Sequence, residues 1–156
     1  MPDPVVIAWE TWASAWPEGE ALAKAHFNEV EGVLAEKRPC KIDEQAMIDA
    51  EKAGVLRVAG ARVGGRLVGY CSWSLMPDIE SKGLIVANQG AIYIDPRFAG
   101  LGYRMLTFSL PGLKAAGADY ALMHHRMLGR GARLGVWFRR LKAVLIKHEY
   151  YLWLRD

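Results

Sequence analysis

Residues 92–106, Ile-Tyr-Ile-Asp-Pro-Arg-Phe-Ala-Gly-Leu-Gly-Tyr-Arg-Met-Leu, constrain the fold more than any other stretch of the chain. A β-branched and aromatic run stops at Asp95-Pro96, a short glycine-bearing loop follows, and a helical pattern then opens. A strand that feeds a glycine loop and a helix N-terminus leaves backbone N–H groups pointing outward, where the helix dipole favours negative charge. Gly100 and Gly102 carry no Cβ, so a phosphate can approach the backbone closely. The segment predicts an anion cradle and, with it, a phosphate-bearing cofactor.

At 156 residues there is room for one domain, residues 1–156, with a real core. No apolar run reaches the length of a membrane span, and Met-Pro-Asp-Pro does not open a signal peptide. Cys40 and Cys71 stand far apart without metal-like spacing, so a reducing, cytoplasmic setting is expected rather than a disulfide framework. Charge is divided unevenly. Residues 1–96 carry a formal balance of −5 and residues 97–156 one of +8, so the basic half begins at the glycine loop. Such a half attracts anions, whether a nucleotide cofactor or a nucleic acid, and it also describes a plain solvated face.

Residues 5–9 predict a short strand. Residues 18–37 predict a helix with Leu22, His26, Val30 and Val33 or Leu34 on one face, and Pro17 near its start. Arg38-Pro39-Cys40 breaks it. Asp43 then caps a second helix through about Lys52, which Gly54 closes. Strands are predicted over 55–63, 66–75 and 84–94, with Gly64-Gly65 as the hairpin turn between the first two. A helix over 102–116 carries Met105, Leu106, Leu110 and Leu113 as its apolar stripe. Pro111 predicts a kink or early end in it, and Gly117 a stop. Residues 119–125 predict a buried strand, 130–141 a helix with Leu134, Trp137, Phe138 and Leu141 inward, and 143–153 a β-rich tail. The order β, α, α, β, β, β, α, β, α, β describes one mixed α+β layer structure.

That order, with the glycine loop after the fourth strand, resembles the GCN5-related N-acetyltransferase (GNAT) superfamily, which binds acyl-coenzyme A. Arg97-Phe98-Ala99-Gly100-Leu101-Gly102 fits the family's loop motif, Arg/Gln-x-x-Gly-x-Gly/Ala. Gly65-Arg66-Leu67-Val68-Gly69-Tyr70 looks like its hairpin into the third strand, and Trp137-Phe138-Arg139-Arg140-Leu141 like the end of its last helix. The likeness runs from about residue 5 to residue 153. A narrower likeness, to small GNAT-like proteins of tailed bacteriophages, rests on His26-Phe27-Asn28-Glu29 and Tyr93-Ile94-Asp95-Pro96. The resemblance implies a mixed, mostly antiparallel sheet with splayed central strands and helices on both faces. The chain also departs from the pattern. Pro96 directly precedes Arg97, where most members place the proline three residues earlier, and a second alignment puts Ala99 in the arginine's place. Phe138 stands nearest the family's tyrosine acid, Asn88-Gln89-Gly90 where a carboxylate base often lies, and Lys142-Ala143 in place of Gly-Phe.

The resemblance implies transfer of an acyl group, acetyl or another, from a coenzyme A thioester directly to an amine. It implies that the amides of Phe98, Ala99, Gly100, Leu101, Gly102 and Tyr103 hold the diphosphate, with Arg97 and Arg104 adding charge. Main-chain groups of Ile92, Tyr93 and Ile94 are expected along the pantetheine arm, one N–H meeting the thioester oxygen. The catalytic candidates are Glu29 with His26, which would prepare the amine, and His124 at a strand end. Each has a structural alternative. His26 and Glu29, at i and i+3 on one helix face, also read as a half-buried histidine satisfied by a carboxylate, and His124 and His125 as polar strand-end groups. Tyr103 or a water is the candidate donor to the departing thiolate. No metal site is expected, because His26 and Glu29 lack a third ligand. Cys71 reads as a core thiol, and Tyr70, Trp73, Tyr150, Tyr151 and Trp153 as core or sheet residues.

Arg126, Arg130, Arg133, Arg139, Arg140, Lys142 and Lys147 crowd one stretch near the C-terminus. Arg130 and Arg133 are candidates for cofactor phosphates, and the others for a solvated face or a nucleic-acid track. The rival to an acyltransferase is therefore a protein on the same scaffold that modifies or binds nucleic acid, or a non-catalytic binding module. The expected partners are an acyl-CoA and an amine acceptor. Nucleic acid and a second copy of the chain are further candidates, and a membrane is not.

Overall fold

The computed structural model of the chain describes residues 3–30, 38–125, 130 and 133–147. Gly64 and Gly65 both take positive φ, +57° and +83°, the geometry of a two-residue hairpin turn whose twist matches its flanking strands. The turn joins β2 (Leu56–Val63) to β3 (Arg66–Pro77). β1 (Val5–Glu10) lies antiparallel beside β2, and β4 (Ile85–Ile94) antiparallel beside β3. β5 (Tyr120–Leu122) runs parallel to β4, which gives, among the described residues, a five-stranded sheet of order β1-β2-β3-β4-β5.

Alternation along β3, reset by a bulge at Val68, divides the helices between the two faces. Leu67, Tyr70 and Ser72 face α1 (Trp12–Val30) and α2 (Glu44–Lys52). Val68, Cys71 and Trp73 face α3 (Leu101–Ala115) and α4 (Leu134–Arg140), whose Met105, Leu106, Leu113 and Phe138 complete the main core. The α+β expectation, mostly antiparallel with helices on both faces, is the observed architecture. Burial pushes the Cys71 thiol well above its ordinary pKa, which makes it an inert core residue. Asp43 caps α2 as expected, its carboxylate accepting from the Ala46 N–H at 3.0 Å.

Several elements differ from their predicted bounds. α1 begins at Trp12, not residue 18, because Thr11 Oγ1 accepts from the Ser14 N–H at 3.2 Å and so caps the helix about 1.7 turns earlier. Pro17 therefore sits inside α1, where the only helix bond it forfeits is to the exposed Ala13. Pro111 does not end α3, which continues to Ala115; Thr107, whose carbonyl lacks that partner, is exposed. The predicted buried strand over 119–125 shrinks to Tyr120–Leu122, an exposed to half-buried edge. α4 spans Leu134–Arg140 rather than 130–141. Residues 143–147 are irregular rather than β, and the remainder of the predicted tail lies outside the described residues. The same holds for Val33 and Leu34 of the first helical stripe, and for Arg126. Among the described residues no helix is long and apolar enough to cross a membrane.

Arg62 ties β1, β2 and α1 together. Its Nε donates to Glu10 Oε1 at 2.6 Å and its Nη1 to Glu18 Oε1 at 2.7 Å, with a further bond to the Gly65 carbonyl at 2.8 Å. The Arg62 hydrogen bond holds the Glu10 carboxyl below its usual range. The Leu67 N–H, and then Arg62, do the same for Glu18. Carboxylates depressed in this way stabilise the fold above their unfolded pKa, and that contribution is lost as pH falls through the folded values. Arg62→Ala is expected to cost about 2 kcal/mol near neutral pH, where it strands the largely buried Glu10. The gap between wild type and variant should narrow below about pH 4, as the unfolded carboxyls protonate. Paired thermal melts at the two pH values check both halves.

Candidate active site

The parallel β4–β5 ladder holds for only three pairs, Val86↔Tyr120, Ala87↔Ala121 and Asn88↔Leu122, while β4 continues to Ile94. Just past the last pair, Gln89 Nε2 donates to the His124 carbonyl at 3.3 Å, so a side chain replaces the next ladder bond. On its other edge β4 carries a bulge. Ser72 pairs with Ala91 and Trp73 with Gln89, leaving Gly90 unopposed. A Cβ at Gly90 would lie 2.7 Å from Ser72 Oγ, which accepts from the Ala91 N–H at 3.0 Å.

Main-chain direction follows from these bonds. The Asp95 N–H reaches the Val68 carbonyl at 2.8 Å, and the Ala91 N–H also points toward β3. By alternation Ile92 and Ile94 turn their main-chain groups to the open side, while Tyr93 turns its own to β3. The Ile94 carbonyl confirms the parity by accepting from Arg130 Nη2 across the gap at 3.1 Å. A cleft of about 350 Å³ opens there, walled by His26, Glu29 and Tyr70 on one side and His125, Leu134 and Trp137 on the other.

At the end of β4, Asp95 caps a single 3₁₀ turn, Pro96–Phe98. Its carboxylate accepts from the Arg97 N–H and Nε, each at 3.0 Å, and the Arg97 hydrogen bond lowers its pKa to about 2. Arg97 thus lies exposed along Asp95, and the Phe98 N–H bonds the Asp95 carbonyl at 2.8 Å. Gly100 starts α3 at φ +99°, exposed, with open space where a Cβ would stand. No side chain caps that helix start, so its leading amides retain their donor capacity. Gly102 serves another purpose: a Cβ there would meet Trp137 Cη2 at 2.5 Å, so its missing side chain admits the α4 tryptophan rather than a phosphate. Tyr103 is half-buried beside the same ring, and Arg104 is exposed on the first turn.

Glu29 and His26 meet different partners. Arg130 donates to Glu29 through Nε at 2.9 Å, Nη2 at 2.8 Å and its backbone N–H at 3.1 Å, and its guanidinium lies 5.4 Å from the Tyr93 ring centroid. The Arg130 hydrogen bonds hold the Glu29 carboxyl below its usual range. His26 stacks on Tyr93 at 5.1 Å, and its Nδ1 lies 3.0 Å from the Tyr70 hydroxyl. Burial raises the Tyr70 pKa far above its ordinary value, so the phenol stays protonated.

No protein-family model matches the chain, and no curated protein is similar to it in sequence. Solved structures are similar in fold. A ribosomal-protein-alanine N-acetyltransferase from Brucella melitensis biovar Abortus 2308 superposes with a TM-score of 0.71 at 18% identity, over 98% of this chain and 100% of that one. An aminoglycoside acetyltransferase from an uncultured soil metagenomic sample gives 0.74 at 10% identity, over 97% and 99%. An aminoglycoside N-acetyltransferase in complex with CoA gives 0.70 at 13% identity, over 99% and 97%. The chain has the GNAT acetyltransferase fold. These matches do not link it to tailed bacteriophages.

Placed on the GNAT fold, the site residues expected from sequence divide into three groups. Ile92, Tyr93, Ile94, His26, Glu29 and His124 all line one cleft. Ala99, Gly100, Leu101, Gly102, Tyr103 and Arg104 form the neighbouring helix start, with Gly102 covered by Trp137. Arg97 and the Phe98 amide turn to Asp95. The structure adds Tyr70, the Tyr93 ring and the Arg130–Glu29 pair. It also adds Gln89, 2% exposed, whose Oε1 has no hydrogen-bond partner among the described residues. An orphaned acceptor beside an unpaired strand edge fits the amide-bearing arm of coenzyme A, and the uncapped helix start fits its diphosphate.

Proposed function

We propose that this chain is an acyl-CoA-dependent N-acyltransferase. The observation that carries the reading is the edge of β4 from Gln89 to Ile94, which no strand pairs among the described residues and only Arg130 meets, at the Ile94 carbonyl, and which leads to the uncapped start of α3. The amides of Gly100 to Tyr103 would hold the diphosphate, and the main chain of Ile92 and Ile94, with Gln89 Oε1, would grip the arm. When bound, the coenzyme supplies an acyl carbon activated as a thioester. The main-chain N–H groups that face the gap would stabilise the negative charge that develops on its oxygen. His26, set by Tyr70 and Tyr93, takes the ammonium proton of the acceptor. Glu29, held ionised by Arg130, positions the neighbouring wall rather than accepting that proton.

Calorimetric titration with coenzyme A and acetyl-CoA tests this. Saturable binding in roughly the micromolar range is expected. No saturable binding at millimolar ligand would overturn it. If that result came with steeply salt-dependent DNA binding, the exposed α4 cations Arg133, Arg139 and Arg140 would carry the rival reading of a nucleic-acid-binding module.

A further inference from the structure

A second cavity, about 110 Å³, lies between α1 and the sheet and adjoins the cleft. Ala23, Ile42, Tyr70 and Ala91 line both spaces. The inner one is walled almost wholly by carbon, and Gly19 of α1 leaves part of its volume open: a Cβ there would meet only ordinary contacts, 3.6 Å to Trp16 and 3.8 Å to Leu67. Trp12 also lines it. That residue is 7% exposed, and its indole N–H finds no acceptor among the described residues. Settled core packing leaves few voids of this size.

The position of the chamber along β4 names its occupant. The Ile92 N–H faces the gap and would meet the thioester oxygen. A coenzyme held there would bring its acyl carbonyl beside Ala91. The Ala91 methyl faces α1 and forms part of the wall between cleft and chamber. A substituent on the thioester carbonyl therefore points at the chamber mouth. Acetyl, with one methyl, leaves the chamber empty. A hydrocarbon cavity of about 150 Å³ accommodates a benzene ring, so one this size suits a chain of roughly three or four carbons. Resting on the coenzyme reading above, we infer that the chamber holds the tail of a short acyl chain longer than acetyl, lying against Trp12.

Calorimetry with the intact chain tests this without knowledge of the acceptor. Butanoyl-CoA is expected to bind about tenfold tighter than acetyl-CoA, from the burial of two further methylenes. Gly19→Leu fills the chamber and should bring the butanoyl-to-acetyl ratio to about one. Gly19→Ala, which also favours the helix, should lower the ratio by a smaller step and guards against a folding defect in the larger variant. Equal binding of acetyl- and butanoyl-CoA overturns the chamber while leaving the coenzyme reading intact. So does a ratio that Gly19→Leu leaves unchanged. Failure of coenzyme A itself to bind overturns both.

Discussion

His26→Ala is expected to lower amine-dependent thiol release from acetyl-CoA by about a hundredfold or more, and Glu29→Gln by less than about tenfold. The ordering rests on what each side chain already touches. Both Glu29 oxygens accept from Arg130, which stabilises the ionised form and so makes the carboxylate a weak proton acceptor. His26 is held between the Tyr93 ring and the Tyr70 hydroxyl, with its ring in the cleft wall. The glutamine keeps one oxygen for Arg130 and so preserves much of the wall. A panel of primary amines, with thiol release followed spectroscopically and melting temperatures measured on each variant, separates chemistry from folding. A Glu29→Gln variant as impaired as His26→Ala would return the role of base to the carboxylate.

The local parts of this fold were legible in sequence because their determinants are local. Gly64-Gly65 requires left-handed backbone wherever it sits, Asp43 caps the helix it precedes, and the strand–loop–helix of residues 92–106 places Gly100 where only a positive φ serves. The start of α1 is ambiguous in sequence because two start signals compete. Proline at position 17 resembles a first-turn residue, but the cap is Thr11, followed by a tryptophan that buries itself. The apolar run after Tyr120 suggested a longer strand, yet β5 ends where Gln89 intercepts the His124 carbonyl, an event written in β4. The site divides in the same way. His26 and Glu29 were visible as a helical pair, but what distinguishes them comes from afar: Tyr70 lies 44 residues from His26, and Arg130 lies 101 residues from Glu29. No spacing rule reports such meetings. The two loop glycines looked equivalent in sequence, and only the packing of α4 shows that they are not.

That difference sets the other large effect. Gly102→Val should lower stability by about 3 kcal/mol, a melting shift of roughly 6–12 °C for a chain of this size, and should weaken coenzyme A binding as well. The new Cβ falls 2.5 and 2.6 Å from two carbons of the Trp137 ring, a rigid group that cannot yield without moving α4. Displacing α4 draws Phe138 from the core and shifts the Trp137 wall of the cleft. Gly100→Ala meets nothing within 4 Å, so its cost is conformational, about 1–2 kcal/mol for a residue with a side chain at φ +99°. The two variants therefore separate by mechanism as well as size. The valine variant should lose the near-ultraviolet circular dichroism signal of packed Trp137, whereas the alanine variant should keep it and lose affinity through the reoriented amides alone. If Gly102→Val melted with wild type, Trp137 would not rest on the first turn of α3, and the cleft wall described here would be wrong.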